Sequence, residues 1–220
     1  SSDLRCISLG SKMEIYTMPC GEEVYQGVMF LKPKSKNELW VGTLEGLLVF
    51  NLDLKEFTEC YGNREEGRYF LPAKEFNHMH IAENGVHWLA TKSGLIKWDF
   101  ERGSSRSFSE FDGVSDNVVY AVYPGDNEEL WLSTQNGITR FDTKTEECRL
   151  FYKIDGIAND EFNTFSHYQD KRGRIFFGGI NGITYFDPID FSADQSILEK
   201  IYITDFELYD GALKRTVNLS

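Results

Sequence analysis

One sequence pattern recurs four times along this 220-residue chain, and it restricts the fold more than any other feature. In each copy an aromatic residue stands six positions before a glycine, and a second aromatic follows that glycine by four positions. The copies occupy residues 38–51, 86–99, 129–142 and 174–187. The aromatic and glycine pairs are Trp40 and Gly46, Trp88 and Gly94, Trp131 and Gly137, and Phe176 and Gly182. The chain is therefore built from a repeated unit of about 45 residues.

Each copy predicts a β-hairpin. The first aromatic lies on one strand, a tight turn follows, and the second strand ends in the second aromatic. Glycine suits the last position of the turn because it adopts a positive φ without steric cost. The dipeptides at the turns are Glu45-Gly46, Ser93-Gly94, Asn136-Gly137 and Asn181-Gly182, all of which favour chain reversal. The recurring pattern is thus interpreted as scaffold.

A further strand is predicted on each side of these hairpins. Alternating segments precede them from Gln26, Asn77, Asn117 and Asn163, and others follow at 56–61, 106–111 and 148–153. Four antiparallel strands in a unit of about 45 residues are typical of a β-propeller, whereas helical repeats would show a 3.6-residue periodicity. An aromatic content of 15% also suits sheets.

We therefore predict an all-β chain that forms a partial β-propeller of four-stranded antiparallel blades. About four blades occupy residues 21–195, and residues 1–20 form the outer strands of a truncated preceding blade. The chain begins without Met and stops soon after strand-like sequence, so we interpret it as a piece of a longer protein. The open strand edges of a partial ring favour self-association through blade edges.

Charge and hydropathy exclude several classes of partner. The chain has 23 basic and 35 acidic residues, a formal net charge of −12, which repels nucleic-acid phosphates and anionic lipid headgroups. We therefore predict no nucleic-acid partner. No apolar run of membrane-spanning length occurs, so we also predict no membrane contact by this piece, and its first residues lack the features of a signal peptide.

The four cysteines, Cys6, Cys20, Cys60 and Cys148, are scattered and include no C-x-x-C pair. This gives little support to a zinc site. An even number permits disulfides in an oxidising compartment, with three pairings open, and isolated thiols are the favoured interpretation.

The pattern [LI]W[VLI][GAS]T-x-x-G[LI], repeated once per blade, resembles the regulator-propeller repeats of bacterial two-component sensors. The resemblance covers roughly residues 20–190. The segments 156–163, 176–179 and 186–188 are similar to the terminal blade of that family. The segment from Lys200 is similar to the first strand of the immunoglobulin-like sandwich that follows such propellers, so residues 196–220 are predicted to be a linker and the start of that domain.

The resemblance implies a function. It suggests the periplasmic ectodomain of a Bacteroidetes hybrid two-component system, an inner-membrane sensor that detects an oligosaccharide and signals through a histidine kinase to polysaccharide-utilisation genes. This piece is then not itself an enzyme. Two alternatives stay open: a secreted propeller lyase or hydrolase, and a propeller that serves only protein assembly.

Residues present in every repeat are best explained by folding, since each unit needs the same turn and the same packing. Trp40, Trp88 and Trp131 could form a sugar-stacking platform, but their regular spacing favours packing between blades. Carboxylates that follow each hairpin at one offset are interpreted as turn residues rather than an acid-base cluster. These are Asp99, Asp142 and Asp187.

Metal and catalytic sites have weak support. His78 and His80 alternate on one strand near His87, and a metal pair is conceivable, although ordinary polar packing is favoured. The acidic residues near the last blade, Asp155, Asp160, Glu161 and Asp170, do not match the calcium-loop pattern. No nucleophile elbow, phosphate loop or dinucleotide fingerprint occurs. We predict no catalytic residue, metal or cofactor.

The longest departure from the repeat is the segment from Cys60 to Phe76, which stretches the first interval to 48 residues. Aromatic and arginine side chains are enriched at recognition surfaces. Four residues of this segment are therefore predicted to contact ligand, with a simple connection between blades as the alternative. They are Tyr61, Arg64, Arg68 and Tyr69.

Overall fold

The computed structural model describes residues 4–7, 13–16, 27–62, 70–191, 205–210 and 213–218. Only the backbone is described in the first two and the last two of these ranges. The described residues form nineteen β-strands and three short 3-10 helices, and none of them lies in an α-helix. The predicted all-β class is confirmed.

Four antiparallel sheets follow one another along the chain, and in each of them consecutive strands pair. A hairpin of β1 (Leu4–Ile7) and β2 (Met13–Tyr16) precedes them. Sheet I consists of β3 (Val28–Ser35), β4 (Glu38–Thr43), β5 (Leu47–Asn51) and β6 (Glu56–Tyr61). Sheet II consists of β7 (Phe76–Ile81), β8 (Val86–Thr91), β9 (Gly94–Asp99) and β10 (Ser104–Phe108). Sheet III consists of β11 (Val119–Pro124), β12 (Glu129–Thr134), β13 (Ile138–Asp142) and β14 (Cys148–Phe151). Sheet IV consists of β15 (Phe162–Gln169), β16 (Ile175–Gly179) and β17 (Gly182–Phe186), and a hairpin of β18 (Asp205–Asp210) and β19 (Leu213–Asn218) follows.

The two middle strands of each sheet are the hairpins predicted from the repeat. Gly94 has a φ of 110° and Gly137 a φ of 98°, as the turn requires. A Cβ atom on Gly94 would lie 2.2 Å from the carbonyl oxygen of Phe108 on the neighbouring strand. Both conformation and space therefore exclude a side chain at this position.

A threonine hydroxyl closes the hairpin turn in three of the sheets. The hydroxyl of Thr91 donates to the carbonyl of Gly94 at 2.7 Å and accepts the backbone N–H of Ser93 at 3.0 Å. Thr43 and Thr134 make the same pair of bonds in sheets I and III. In sheet IV the equivalent residue is Gly179, where a Cβ atom would lie 2.4 Å from the carbonyl oxygen of Glu161, so threonine does not fit.

The polar residues that end the hairpins act as turn caps, as predicted. Asp142 accepts backbone hydrogen bonds from Lys144 and Thr145, both at 2.8 Å. Asp99 accepts one from Arg102 at 3.0 Å, and Asp187 one from Ile189 at 3.3 Å. The pKa of Asp142 is lowered mainly by the hydrogen bond from the backbone N–H of Thr145, because this bond stabilises the carboxylate.

The sheets are arranged as propeller blades around a shared axis. Their first strands lie next to one another, since β3 contacts β7, β7 contacts β11 and β11 contacts β15. Three hydrophobic cores fill the spaces between successive sheets, and each contains one anchoring tryptophan: Trp40, Trp88 and Trp131. These side chains are at most 2% exposed. The predicted propeller fold is confirmed, and the tryptophans pack between blades.

The outer strands of sheets II and III are shorter than predicted. β10 and β14 give way to 3-10 helices at Glu110–Asp112 and Lys153–Asp155. The carboxylate of Asp112 accepts the backbone N–H of Ser109 at 2.9 Å, and Asp155 accepts that of Tyr152 at 2.8 Å. Such side-chain caps compete with the strand ladder, and hydrophobic alternation does not reveal them.

The two ends of the chain leave earlier predictions open. Residues 1–20 contain the hairpin β1–β2, and residues 196–220 contain the hairpin β18–β19; each is two-stranded within the described residues. Their assignment to a truncated blade and to an immunoglobulin-like domain stays a prediction. Sheet IV has three strands within the described residues, and residues 192–204 lie outside them.

Candidate functional site

Polar side chains from all four sheets meet where the first strands converge. We call this group the axial cluster, and it consists of Lys32 on β3, His78 and His80 on β7, Tyr123 on β11 and His167 on β15. The ring centroid of His78 lies 4.7 Å from that of His167 and 4.9 Å from that of Tyr123. Residues far apart in sequence thus form one compact group because the inner strands are adjacent.

Hydrogen bonds fix the orientation of this cluster. The backbone N–H of Val122 donates to Nδ1 of His78 at 3.2 Å, so the ring proton of the neutral histidine lies on Nε2. The hydroxyl of Tyr123 lies 2.8 Å from Nδ1 of His167. Nζ of Lys32 donates to the carbonyl of Met79 at 2.7 Å. These bonds link sheet I to sheet II, sheet II to sheet III, and sheet III to sheet IV.

Burial keeps the histidines neutral. Loss of hydration lowers the pKa of His80 and of His167 to about 4, and it lowers the pKa of His78 well below its usual value. The same cause lowers the pKa of Lys32 and raises the pKa of Tyr123 to about 12. At neutral pH the three imidazoles and the phenol are therefore uncharged groups that offer both donors and acceptors.

A cleft of about 560 Å³ opens beside this cluster, between sheets II and III. His80 belongs to both, and the cleft walls also include Trp88, Lys97, Glu128 and Lys144. Nζ of Lys97 lies 5.5 Å from the ring of Trp88, and Lys144 forms an ion pair with Glu128. The cleft therefore combines the His80 ring with paired charges of both signs, whereas Trp88 is only 2% exposed.

The three histidines considered for a metal are not gathered in one place. His87 is 8% exposed and packs against Trp40 and Trp98, with its Nδ1 2.9 Å from the carbonyl oxygen of Gly85. Across the described part of the chain, no group of three or more His, Cys, Asp or Glu side chains could hold a metal ion. Asp170 binds Nε of Arg174 at 2.9 Å.

The predicted ligand-contacting residues fall in different parts of the structure. Tyr61 is 1% exposed, and its ring packs against Trp40 at 5.7 Å between centroids. Its hydroxyl donates to Glu59 at 2.7 Å, so the side chain serves the core between sheets I and II. Arg64, Arg68 and Tyr69 lie outside the described residues. A ligand role for this segment stays a prediction.

Sequence reasoning missed most of the axial cluster, although the repeat contains a signal for it. The residue eight positions before each anchoring aromatic pairs with it across the strands. These residues are Lys32, His80, Tyr123 and Tyr168, four polar-tipped side chains of differing chemistry in an otherwise regular frame. Variation at a fixed position of a repeat indicates freedom from the folding constraint. His167 and His78 have no equivalent signal.

The fold is shared with known extracellular domains. The extracellular domain assigned to a hybrid two component system of B. thetaiotaomicron, BT3049, has a TM-score of 0.58 and 19% identity, covering 87% of this chain and 32% of that chain. The corresponding domain of BT4673 from the same organism has a TM-score of 0.60 and 15% identity, and the match covers 89% of this chain and 31% of that domain. Hydrazine synthase of Kuenenia stuttgartiensis has a TM-score of 0.53 and 10% identity, and the match covers 80% of this chain and 50% of that chain.

These similarities agree with the resemblance to regulator-propeller repeats, and at such identities they show the fold alone. The chain spans about a third of the two extracellular domains. The sequence matches no protein-family model and no curated protein. No helix in the described part of the chain has the length and apolar character of a membrane span.

Proposed function

We propose that this chain is part of the ligand-sensing ectodomain of a hybrid two-component sensor, and that it contributes to binding an uncharged oligosaccharide. The observation that carries the proposal is the axial cluster, in which the inner strands of sheets II, III and IV bring neutral hydrogen-bonding groups together beside Lys32 of sheet I. In the proposal the parent protein is an inner-membrane histidine kinase with a periplasmic ectodomain, and its signal controls polysaccharide-utilisation genes.

The chemistry of the cluster suits sugar hydroxyls. A hydroxyl both donates and accepts, and so do a neutral imidazole and a phenol. The ring of His80 on the cleft wall offers an apolar face to the C–H groups of a pyranose, while Lys97 and Glu128 supply directed polar contacts. The net charge of −12 disfavours strongly anionic glycans.

Signalling follows from the position of the cluster between the blades. A ligand that contacts His80 and Tyr123 joins sheets II and III, and it stabilises the arrangement of sheets that fits it best. The shift it produces is set by its differential affinity for the two arrangements. The extracellular domains with the same fold belong to proteins assigned to two-component signalling, which supports this role.

The binding test uses Tyr123→Phe. Removal of this hydroxyl should weaken glycan binding about tenfold, because a hydrogen bond within a desolvated site is lost. Affinities for a panel of neutral and sulfated oligosaccharides are measured by calorimetry on the complete ectodomain and on the 220-residue chain. Tyr152→Phe is the matched control, since Tyr152 caps an outer turn away from the axis and its loss should leave binding unchanged.

The outcomes separate this proposal from its rivals. Glycan cleavage would favour a lyase or hydrolase, and the shared fold of hydrazine synthase shows that this architecture also occurs in an enzyme. Absence of binding by every glycan to the complete ectodomain would favour a role in protein assembly. If both tyrosine substitutions weaken glycan binding equally, the axial cluster is not part of the binding site.

A further inference from the structure

Lys32 is the charged member of the axial cluster, and it differs from its neighbour Lys34 in how its charge is balanced. Nζ of Lys34 pairs with a carboxylate oxygen of Glu38 at 3.0 Å. Nζ of Lys32 donates only to the carbonyl oxygen of Met79, and among the described residues no carboxylate pairs with it. Burial lowers the pKa of Lys32, since its ammonium group has lost part of its hydration. A half-buried cation with a neutral partner favours the binding of an anion.

The ammonium group lies beside two histidines of the next sheet. Met79, which accepts its hydrogen bond, stands between His78 and His80 on β7. The charge of Lys32 contributes to the lowered pKa of both histidines, as expected for cationic groups that lie close together. The ring of His80 makes no hydrogen bond within the described residues. Lys32 and His80 therefore both retain hydrogen-bonding capacity at the axis.

The hydrogen bonds of the cluster use its acceptors and leave its donors. Nδ1 of His78 already accepts the backbone N–H of Val122, so its ring keeps an N–H donor at Nε2. The phenol of Tyr123 is more acidic than a neutral imidazole N–H and is the better donor, so we assign its proton to the bond with Nδ1 of His167. The proton of His167 then lies on Nε2. The cluster thus combines one positive charge with several N–H donors.

These groups can be reached from solution. Each of the five side chains of the axial cluster is partly exposed rather than fully buried. His80 also lines the cleft between sheets II and III. A small anion therefore reaches Lys32 and the histidines without opening a hydrophobic core.

We propose that Lys32, His78 and His80 together bind a carboxylate group at the axis of the propeller. The two oxygens of a carboxylate accept several hydrogen bonds at once, and bonds from charged donors are strong. One full positive charge matches a carboxylate better than a phosphate group with nearly two negative charges. The net charge of −12 does not oppose this locally, because charges beyond about 10 Å are largely screened at 0.1 M salt.

The carboxylate site is independent of the uncharged glycan proposed above, and its test needs no glycan. Acetate is the probe, and acetamide is its uncharged counterpart of nearly the same shape. Ring resonances of the four histidines are followed by NMR at pH 6 and constant ionic strength on the 220-residue chain. Acetate should shift His78 and His80 toward the protonated form, because a nearby negative charge raises the pKa of an imidazole. Acetamide should leave them unchanged.

Substitutions locate the site. Lys32→Met removes the charge and should weaken acetate binding at least about tenfold, because a charge-assisted hydrogen bond is lost. Lys32→Arg keeps the charge and should retain binding. Lys36→Met is the matched control: Lys36 is exposed in the turn between β3 and β4, and its replacement changes the net charge equally. That variant should bind acetate as the unaltered chain does.

Two further probes identify the source of the carboxylate. Tighter binding of glucuronate than of acetate, with no response to glucose, would assign the group to an acidic sugar. Equal affinities of glucuronate and acetate would assign it to a free small acid. Both results support the site, since each requires the carboxylate.

Three results would overturn the inference. The first is the absence of any histidine response at about 100 mM acetate, a hundred times a millimolar dissociation constant. The second is an equal response to acetamide, which would show that charge is not recognised. The third is an equal loss of binding in Lys32→Met and Lys36→Met, which would show that acetate senses only the net charge. The first two comparisons use the unaltered chain and do not depend on the folding of a variant.

Discussion

The hairpin and the innermost strand of each sheet obey different rules. In the hairpins, the two aromatics and the turn glycine recur from sheet to sheet, and Trp40, Trp88 and Trp131 all lie in cores between sheets. On the innermost strands, the residue paired with each of these tryptophans changes to Lys32, His80 or Tyr123. Repetition thus accompanies packing, and variation accompanies the polar cluster at the axis.

The largest expected effect tests the packing side of this comparison. Trp131→Ala should destabilise the protein by about 3–5 kcal/mol, because it leaves a large cavity between sheets III and IV. Phe176→Ala is the matched control at the same repeat position on an exposed face, and it should cost about 1 kcal/mol through the lost stacking on Tyr185. Urea unfolding of dilute protein measures both. If the two substitutions lower the free energy of unfolding equally, covered and exposed faces do not differ in packing as we expect.

The next prediction concerns the titration of the histidines on the innermost strands. The folded pKa values of His80 and His167 are about 4, below the unfolded value near 6.5. Unfolded chains therefore bind more protons in this window, and stability should fall as pH drops from about 6.5 to about 4. Lys32 opposes the protonation of His80, and the charges of His167, Lys32 and His80 oppose that of His78.

The measurement for this prediction is the free energy of unfolding as a function of pH. His80→Gln should reduce the slope between pH 4 and 6.5 because one titrating group is removed. Glu83→Gln is a control in the adjacent exposed turn, and it should leave that slope unchanged. A pH profile that is flat for the unaltered protein would show that the histidines are not held neutral.

The smallest expected effect tests the hairpin turns. Thr91→Val should cost about 1–2 kcal/mol, since the turn loses the hydroxyl that bonds Gly94 and Ser93 in a buried position. Thr58→Val on the exposed strand β6 should be close to neutral. Thermal unfolding compares the two variants. If Thr91→Val leaves the thermal stability unchanged, the recurrent threonine serves the strand rather than the turn.

The scaffold could be predicted well from the sequence because the same turn and packing residues recur in four copies. Glycine at the turn and the aromatic spacing located all four hairpins to within one or two residues. Predictions failed where a single side chain decided the local structure, as at Asp112 and Asp155, whose caps end the outer strands early. Tyr61 was predicted to contact ligand because its segment departs from the repeat; the structure places its ring in the core between sheets I and II, and the ligand role of the segment stays a prediction.

By itself the sequence determined the β-hairpin unit, its fourfold repetition and the packing role of the tryptophans, since these depend on local turn geometry and on burial of apolar faces. Only the tertiary structure decided which polar residues meet. His78, Tyr123 and His167 are separated by 45 and 44 residues, and nothing in their local sequences indicates that they meet. They come together because successive sheets turn about one axis, which places their first strands side by side.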